Sequence, residues 1–153
     1  MRRTIGWLII VWLVSALAAG AATGRVIKVL PEYLDLKGRT SLAPSLYERD
    51  AYQATLRVHP ERCSGMKFYV QWKTKGRVAS PLKVRVELRG VAQGNLPKSL
   101  VLEQAAQPGG WFSHWTSLTL SGEAYKTFGQ VTAWLVTLWE GERQLGEQQS
   151  FLW

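Results

Sequence analysis

Between Leu82 and Arg89 the chain alternates without a break. Leu82, Val84, Val86 and Leu88 are aliphatic, and Lys83, Arg85, Glu87 and Arg89 between them are charged. Successive side chains of an extended strand point to opposite sides, so this octet can bury one face and wet the other only as a β-strand. A helix would scatter the same aliphatic residues around its axis. A strand with one dry and one wet face is the mark of antiparallel sheet, and it requires a second layer to cover its dry side.

Other segments supply that layer. Phe68, Val70 and Trp72 alternate with Tyr69, Gln71 and Lys73, and Lys75-Gly76-Arg77 with Ser80-Pro81 connects this strand to the one at Leu82. The two are expected to be neighbours. Leu100 and Leu102 resume the pattern after a loop from Gly90 to Pro97, and Pro108-Gly109-Gly110 turns the chain again. Trp111 to Leu120 reads as a further strand with Phe112, Leu118 and Leu120 as core candidates. Val131 to Trp139 and Gln144 to Leu152 form a hairpin about Glu140-Gly141-Glu142, and Trp153 after Phe151 implies that the last strand is docked to its end. Arg25 to Leu30 alternates weakly and meets Pro31, which suits an edge strand or an extended lead-in. After the Lys37-Gly38-Arg39 turn comes the single convincing helix, about 46–58. Ser45 and Glu48 have capping-box spacing at its start, and His59-Pro60 ends it. Tyr47, Ala51, Ala54 and Val58 recur at helical spacing and are expected to face the protein. The segment from Val131 to Leu138 is apolar on both faces, so its second face needs a cover, either this helix or a partner molecule.

The fold class is therefore mainly β: an antiparallel sandwich with one short helix on its N-terminal side. The stretch from Leu118 to Tyr125 (Leu-Thr-Leu-Ser-Gly-Glu-Ala-Tyr) resembles the corner between late strands of immunoglobulin-like and fibronectin III-like domains. The resemblance covers the last third of the chain. It implies an immunoglobulin-like sandwich in which Tyr125 bonds back to backbone across the corner, and it implies no function.

The first 22 residues read as a signal peptide. Arg2 and Arg3 precede an unbroken apolar run from Ile5 to Leu17, and Ala18-Ala19-Gly20-Ala21-Ala22 offers small side chains for cleavage near Ala21 or Ala22. The alternative is a retained N-terminal membrane anchor, and either way the paired arginines stay inside while the body is exported, periplasmic or secreted. Residues 23–153 form one domain, large enough for a single core. Of 19 Lys and Arg in the chain of 153 residues, only Arg2 and Arg3 precede Arg25, so 17 remain against 11 Asp and Glu, a net charge of +6. Cys63 is the only cysteine, which excludes an intrachain disulfide and suits a buried filler better than a reactive thiol.

Catalytic chemistry finds little footing. His59 and His114 are the only histidines, and Asp35 and Asp50 the only aspartates. Ser113 and His114 are adjacent in a strand, so they point to opposite faces and cannot form a dyad. Two histidines, one thiol and scattered carboxylates match no zinc or calcium spacing, and no glycine-rich phosphate cradle appears. The expectation is a non-enzyme without cofactor or metal. A small hydrolase with an unrecognised site is the competing class.

Binding is better supported. Lys73, Lys75, Arg77, Lys83, Arg85 and Arg89 crowd two strands and their link, and alternation would place most of them on one exposed basic face. Such a field attracts an anionic polysaccharide, an envelope surface or an acidic partner protein. Nucleic acid is disfavoured by the compartment, and a membrane enters only if the N-terminal segment stays. The same charges could simply solvate a sheet. Trp111 and Trp115 flank Ser113 and are candidates for a flat platform under sugar rings, although packing beneath the helix is the better account, because a sheet covered twice needs apolar residues on both sides. The expected function is a non-catalytic binding or structural module, with a subunit of a multi-protein assembly as the alternative.

Overall fold

The computed structural model describes residues 21–108 and 112–153. The apolar run at Ile5 to Leu17 and Trp111 lie outside them. In chain order the described residues form β1 (Thr23–Asp35), α1 (Leu46–Val58), β2 (Cys63–Lys75), β3 (Leu82–Ala92), β4 (Leu96–Ala106), β5 (His114–Ser121), α2 (Gly122–Phe128), β6 (Gln130–Glu140) and β7 (Arg143–Gln149). Two antiparallel sheets result, one ordered β1-β2-β5 and the other β4-β3-β6-β7. Neither described helix is long and apolar enough to cross a membrane.

The alternating residues meet between these sheets. Phe68, Val70 and Trp72 of β2, with Leu118 and Leu120 of β5, face Leu82, Val84, Val86 and Leu88 of β3 and Val136 and Leu138 of β6. The Trp72 indole donates to Thr116 Oγ1 at 2.9 Å, so the largest core side chain keeps its polar atom satisfied. Close approach closes one side of the sandwich. A Cβ on Gly146 would stand 2.8 Å from Arg25 Cα, and one on Gly24 2.9 Å from Leu145 Cβ, so only glycine lets β1 and β7 lie this near. The β1 strand runs straight through Pro31, which pairs with Phe68. It can do so because β1 is an edge strand and has an outward side where a missing N–H goes unused.

Several expectations fail here, each for a local reason. The strands β2 and β3 are not neighbours, because residues 76–81 carry the chain from one sheet to the other. Helix α1 spans the expected residues, but Ser45 makes no side-chain cap bond. Its orientation is also reversed: Gln53 and Leu56 are buried, while Tyr47 is 83% exposed and Val58 74%. What fixes the helix is polar. Gln53 accepts from the Tyr33 backbone N–H at 2.7 Å and donates to the Tyr33 carbonyl at 2.9 Å and to Thr40 O at 2.8 Å, tying the helix to β1 and to the loop that follows it.

With α1 on the β1 edge, the second face of β6 is covered from within. The Trp139 indole folds back onto Thr137 Oγ1 at 2.8 Å, and the Trp153 ring lies 3.9 Å from the Arg89 guanidinium, beside buried Ala133. Phe112 is 83% exposed because β5 begins only at His114. Trp134 is half-buried against the central cluster. Tyr125 falls in α2, and among the described residues its hydroxyl makes no hydrogen bond, so the expected corner bond to backbone is absent.

Phe68 and Phe112 therefore separate cleanly in a stability assay. Phe68→Ala should cost about 3–5 kcal/mol in chemical denaturation, and Phe112→Ala less than about 0.5 kcal/mol. Equal losses would contradict the core assignment.

Candidate functional site

The six basic residues singled out in the sequence do not form one face. Lys83, Arg85 and Arg89 project from β3 on the outside of the four-stranded sheet, and each has a partner. Lys83 Nζ is 3.1 Å from Glu103, Arg85 Nε is 3.2 Å from Glu87, and Arg89 stacks on Trp153. Glu103 and Glu87 offset the charges of Lys83 and Arg85, while Arg89 keeps its charge over a neutral ring. Lys73 and Lys75 belong to β2 on the other side of the sandwich, and Arg77 follows in the loop, bridged to Ala21.

On that second side the register assembles a different cluster. Arg25 stands directly across from Lys73, and Thr23 across from Lys75. One row further along β2, Lys28, Gln71 and Trp115 line up across all three strands, followed by Leu30, Tyr69 and Ser117. All alternate with buried residues, so they share the outer face of the sheet. Gln71 Nε2 donates to Ser113 Oγ at 2.8 Å, Lys67 Nζ lies 4.9 Å over the Tyr69 ring, and Trp115 is 52% exposed. A shallow cavity of about 230 Å³ is lined by Thr23, Gly24, Arg25, Lys73 and Lys75. Among the described residues no acid lies within ion-pair distance of Arg25, Lys28, Lys73 or Lys75.

Facing like charges disfavour a strand pair. Two cations 4 Å apart repel by about 1 kcal/mol even in water. An anion seated between them would turn that repulsion into two attractions. The sequence pattern pointed to Lys73, Lys75 and Trp115. It missed Arg25 and Lys28, because β1 read as a lead-in and its pairing to β2 is non-local. Trp115 is not beneath α1, which lies on the β1 edge instead.

Several titratable groups elsewhere are engaged. His114 packs on Trp72 with ring centroids 5.1 Å apart, while Ser113 faces Gln71, so the two do point apart. His59 Nδ1 is 3.0 Å from Glu61. Cys63 Sγ donates to the Leu56 carbonyl at 3.3 Å, and burial raises its pKa. No group of three or more His, Cys, Asp or Glu among the described residues could hold a metal ion. Glu140 accepts from Ala79 N at 2.7 Å and pairs with Arg143, whose Nη2 also donates to the Ala22 carbonyl at 2.7 Å. This ties the chain's entry to the β6–β7 turn.

Compared with models of protein families, with curated proteins and with solved structures, the chain matches none.

Asp35 is the strongest polar anchor. Burial opposes its ionisation, but the Arg39 backbone and guanidinium, the Tyr52 hydroxyl and the Lys37 N–H all donate to it and hold its carboxyl well below the ordinary range. A folded pKa below the unfolded one stabilises the protein fully above about pH 4, and that contribution fades as pH falls toward the folded value. Asp35→Asn should cost about 2 kcal/mol at neutral pH and flatten the acid limb of a denaturation-versus-pH curve. An unchanged acid limb in the variant would show that other carboxylates control it.

Proposed function

We propose that this chain is an exported, non-catalytic binding module that takes an anionic polysaccharide on the outer face of the β1-β2-β5 sheet. The observation that carries this reading is Arg25 opposite Lys73, unneutralised beside Lys28 and Lys75. A polyanion is attracted by a row of such charges, and the attraction weakens as salt screens it. Trp115, Tyr69 and Gln71 on the same face suit a sugar chain over a simple anion: flat rings pack against pyranose faces, and an amide bonds hydroxyls. The basic N-terminus, apolar run and small-residue stretch support export.

A finer fold reading stands beside this one and carries no function of its own. Taking the strands in order, the first, second and fifth oppose the third, sixth and seventh, which is the grouping of immunoglobulin-like sandwiches. The fourth strand here lies beside the third. We read the chain as a member of that broad group of sandwiches, one that lacks the tyrosine corner bond. Of the two cuts the leader offers, the one after Ala21 keeps the buried Ala22, whose carbonyl Arg143 binds.

Two measurements test this. On a heparin-type resin the protein should be retained and should elute as salt rises. Arg25→Glu with Lys73→Glu should abolish retention, whereas Lys83→Glu with Arg85→Glu should leave most of it. Elution of the unmodified protein in dilute buffer, or equal loss from both pairs of changes, overturns the assignment. N-terminal sequencing of the exported protein should begin Ala22-Thr23-Gly24, and a start at Thr23 would refute the choice of cut.

A further inference from the structure

The apolar stripe of α1 is real but points the wrong way for a monomer. Tyr47, Ala51, Ala54 and Val58, spaced four, three and four residues apart, occupy one side of the helix, and all four are exposed. The opposite side carries Gln53 and Leu56, the residues that hold the helix to the domain. Nothing among the described residues packs on the stripe, although its composition is that of a helix–helix contact: small residues in the middle and larger ones at both ends.

We propose that the stripe is a self-association surface on which α1 of a second copy packs antiparallel about a two-fold axis. The argument is self-complementarity. An antiparallel two-fold pairs each residue with the one equally far from the helix midpoint, so Tyr47 meets Val58 of the second copy and Ala51 meets Ala54. The alanines let the backbones approach, and the larger ends clasp each other. Charge agrees with this arrangement. Asp50 and Arg57 flank the stripe on the same side, and the two-fold brings Asp50 of each copy within a turn of Arg57 of the other, making two equivalent ion pairs. The Asp50 side chain is 79% exposed and only 3.9 Å from Arg49, which itself pairs with Glu32 at 3.4 Å, so it is open to a better partner. A parallel packing would instead set Tyr47 against Tyr47 and Asp50 against Asp50. A 13-residue helix presents a strip only about 20 Å long, less than the usual interface of about 1,600 Å², so the dimer is weak, in roughly the 10–1,000 µM range. A dimer would carry two basic faces on one particle and gain avidity for a long polymer.

The test is the mass of the chain, as its producing cell exports it, by light scattering and sedimentation from 10 µM to about 1 mM. The expected result is a rise toward twice the monomer mass. Ala54→Glu should weaken association at least tenfold without changing the denaturation midpoint, since position 54 is exposed. Asp50→Arg alone should weaken it several-fold, and Asp50→Arg with Arg57→Asp should restore it. A monomer at every concentration, or a dimer indifferent to Ala54→Glu, overturns the proposal. So does failure of the double exchange to recover what the single change lost. None of these outcomes depends on polysaccharide binding, which is read on the resin with the other variants.

Discussion

Every other feature of this fold depends on the dry layer between its two sheets. Phe68, Val70 and Trp72 from one side and Val84, Val86 and Leu138 from the other fill it with side chains that are almost wholly buried. Because strand side chains alternate, burying these residues fixes which ones remain outside. Arg25, Lys73 and Trp115 share an outer face for that reason, and a one-residue slip of β2 would send Lys73 inward and Trp72 out. The candidate site is thus a by-product of core register.

A second set of interactions is polar and local. Asp35 gathers a turn, an arginine and the Tyr52 hydroxyl, while Gln53 answers both backbone groups of Tyr33. Together they hold a helix that has few buried apolar side chains of its own. At the other end of the sandwich, Arg143 joins Glu140 to the Ala22 carbonyl. Hydrophobic burial sets the sheets, and charge-assisted hydrogen bonds place what hangs from them.

The strands were legible where periodicity is strict. The inward and outward residues of β3 and of the middle of β2 follow from alternation alone, and the helix bounds follow from composition and the His59-Pro60 stop. The assignment of strands to sheets was not legible. A six-residue link can turn a hairpin or cross a sandwich, and the residues 76–81 fit both. The direction of α1 was hidden for a different reason: periodicity reveals an apolar stripe without saying whether the parent domain or another molecule covers it. Gln53, a polar residue, decided the matter through bonds to a strand twenty positions earlier. Half of the basic cluster was equally out of reach, since Arg25 meets Lys73 only through long-range pairing. Glu87 stands two residues from Arg85 in the sequence, but Glu103 reaches Lys83 only through the pairing of β3 with β4.

The amide of Gln53 occupies the place on β1 where another strand's backbone would bond, and the tight contact of Gly24 and Gly146 shuts the same border further along. A border closed at both ends offers no template on which a stray peptide can lengthen the sheet, so runaway fibre growth is blocked on that side. Contact between copies is thereby steered away from open backbone and toward side chains, where affinity can stay low and reversible.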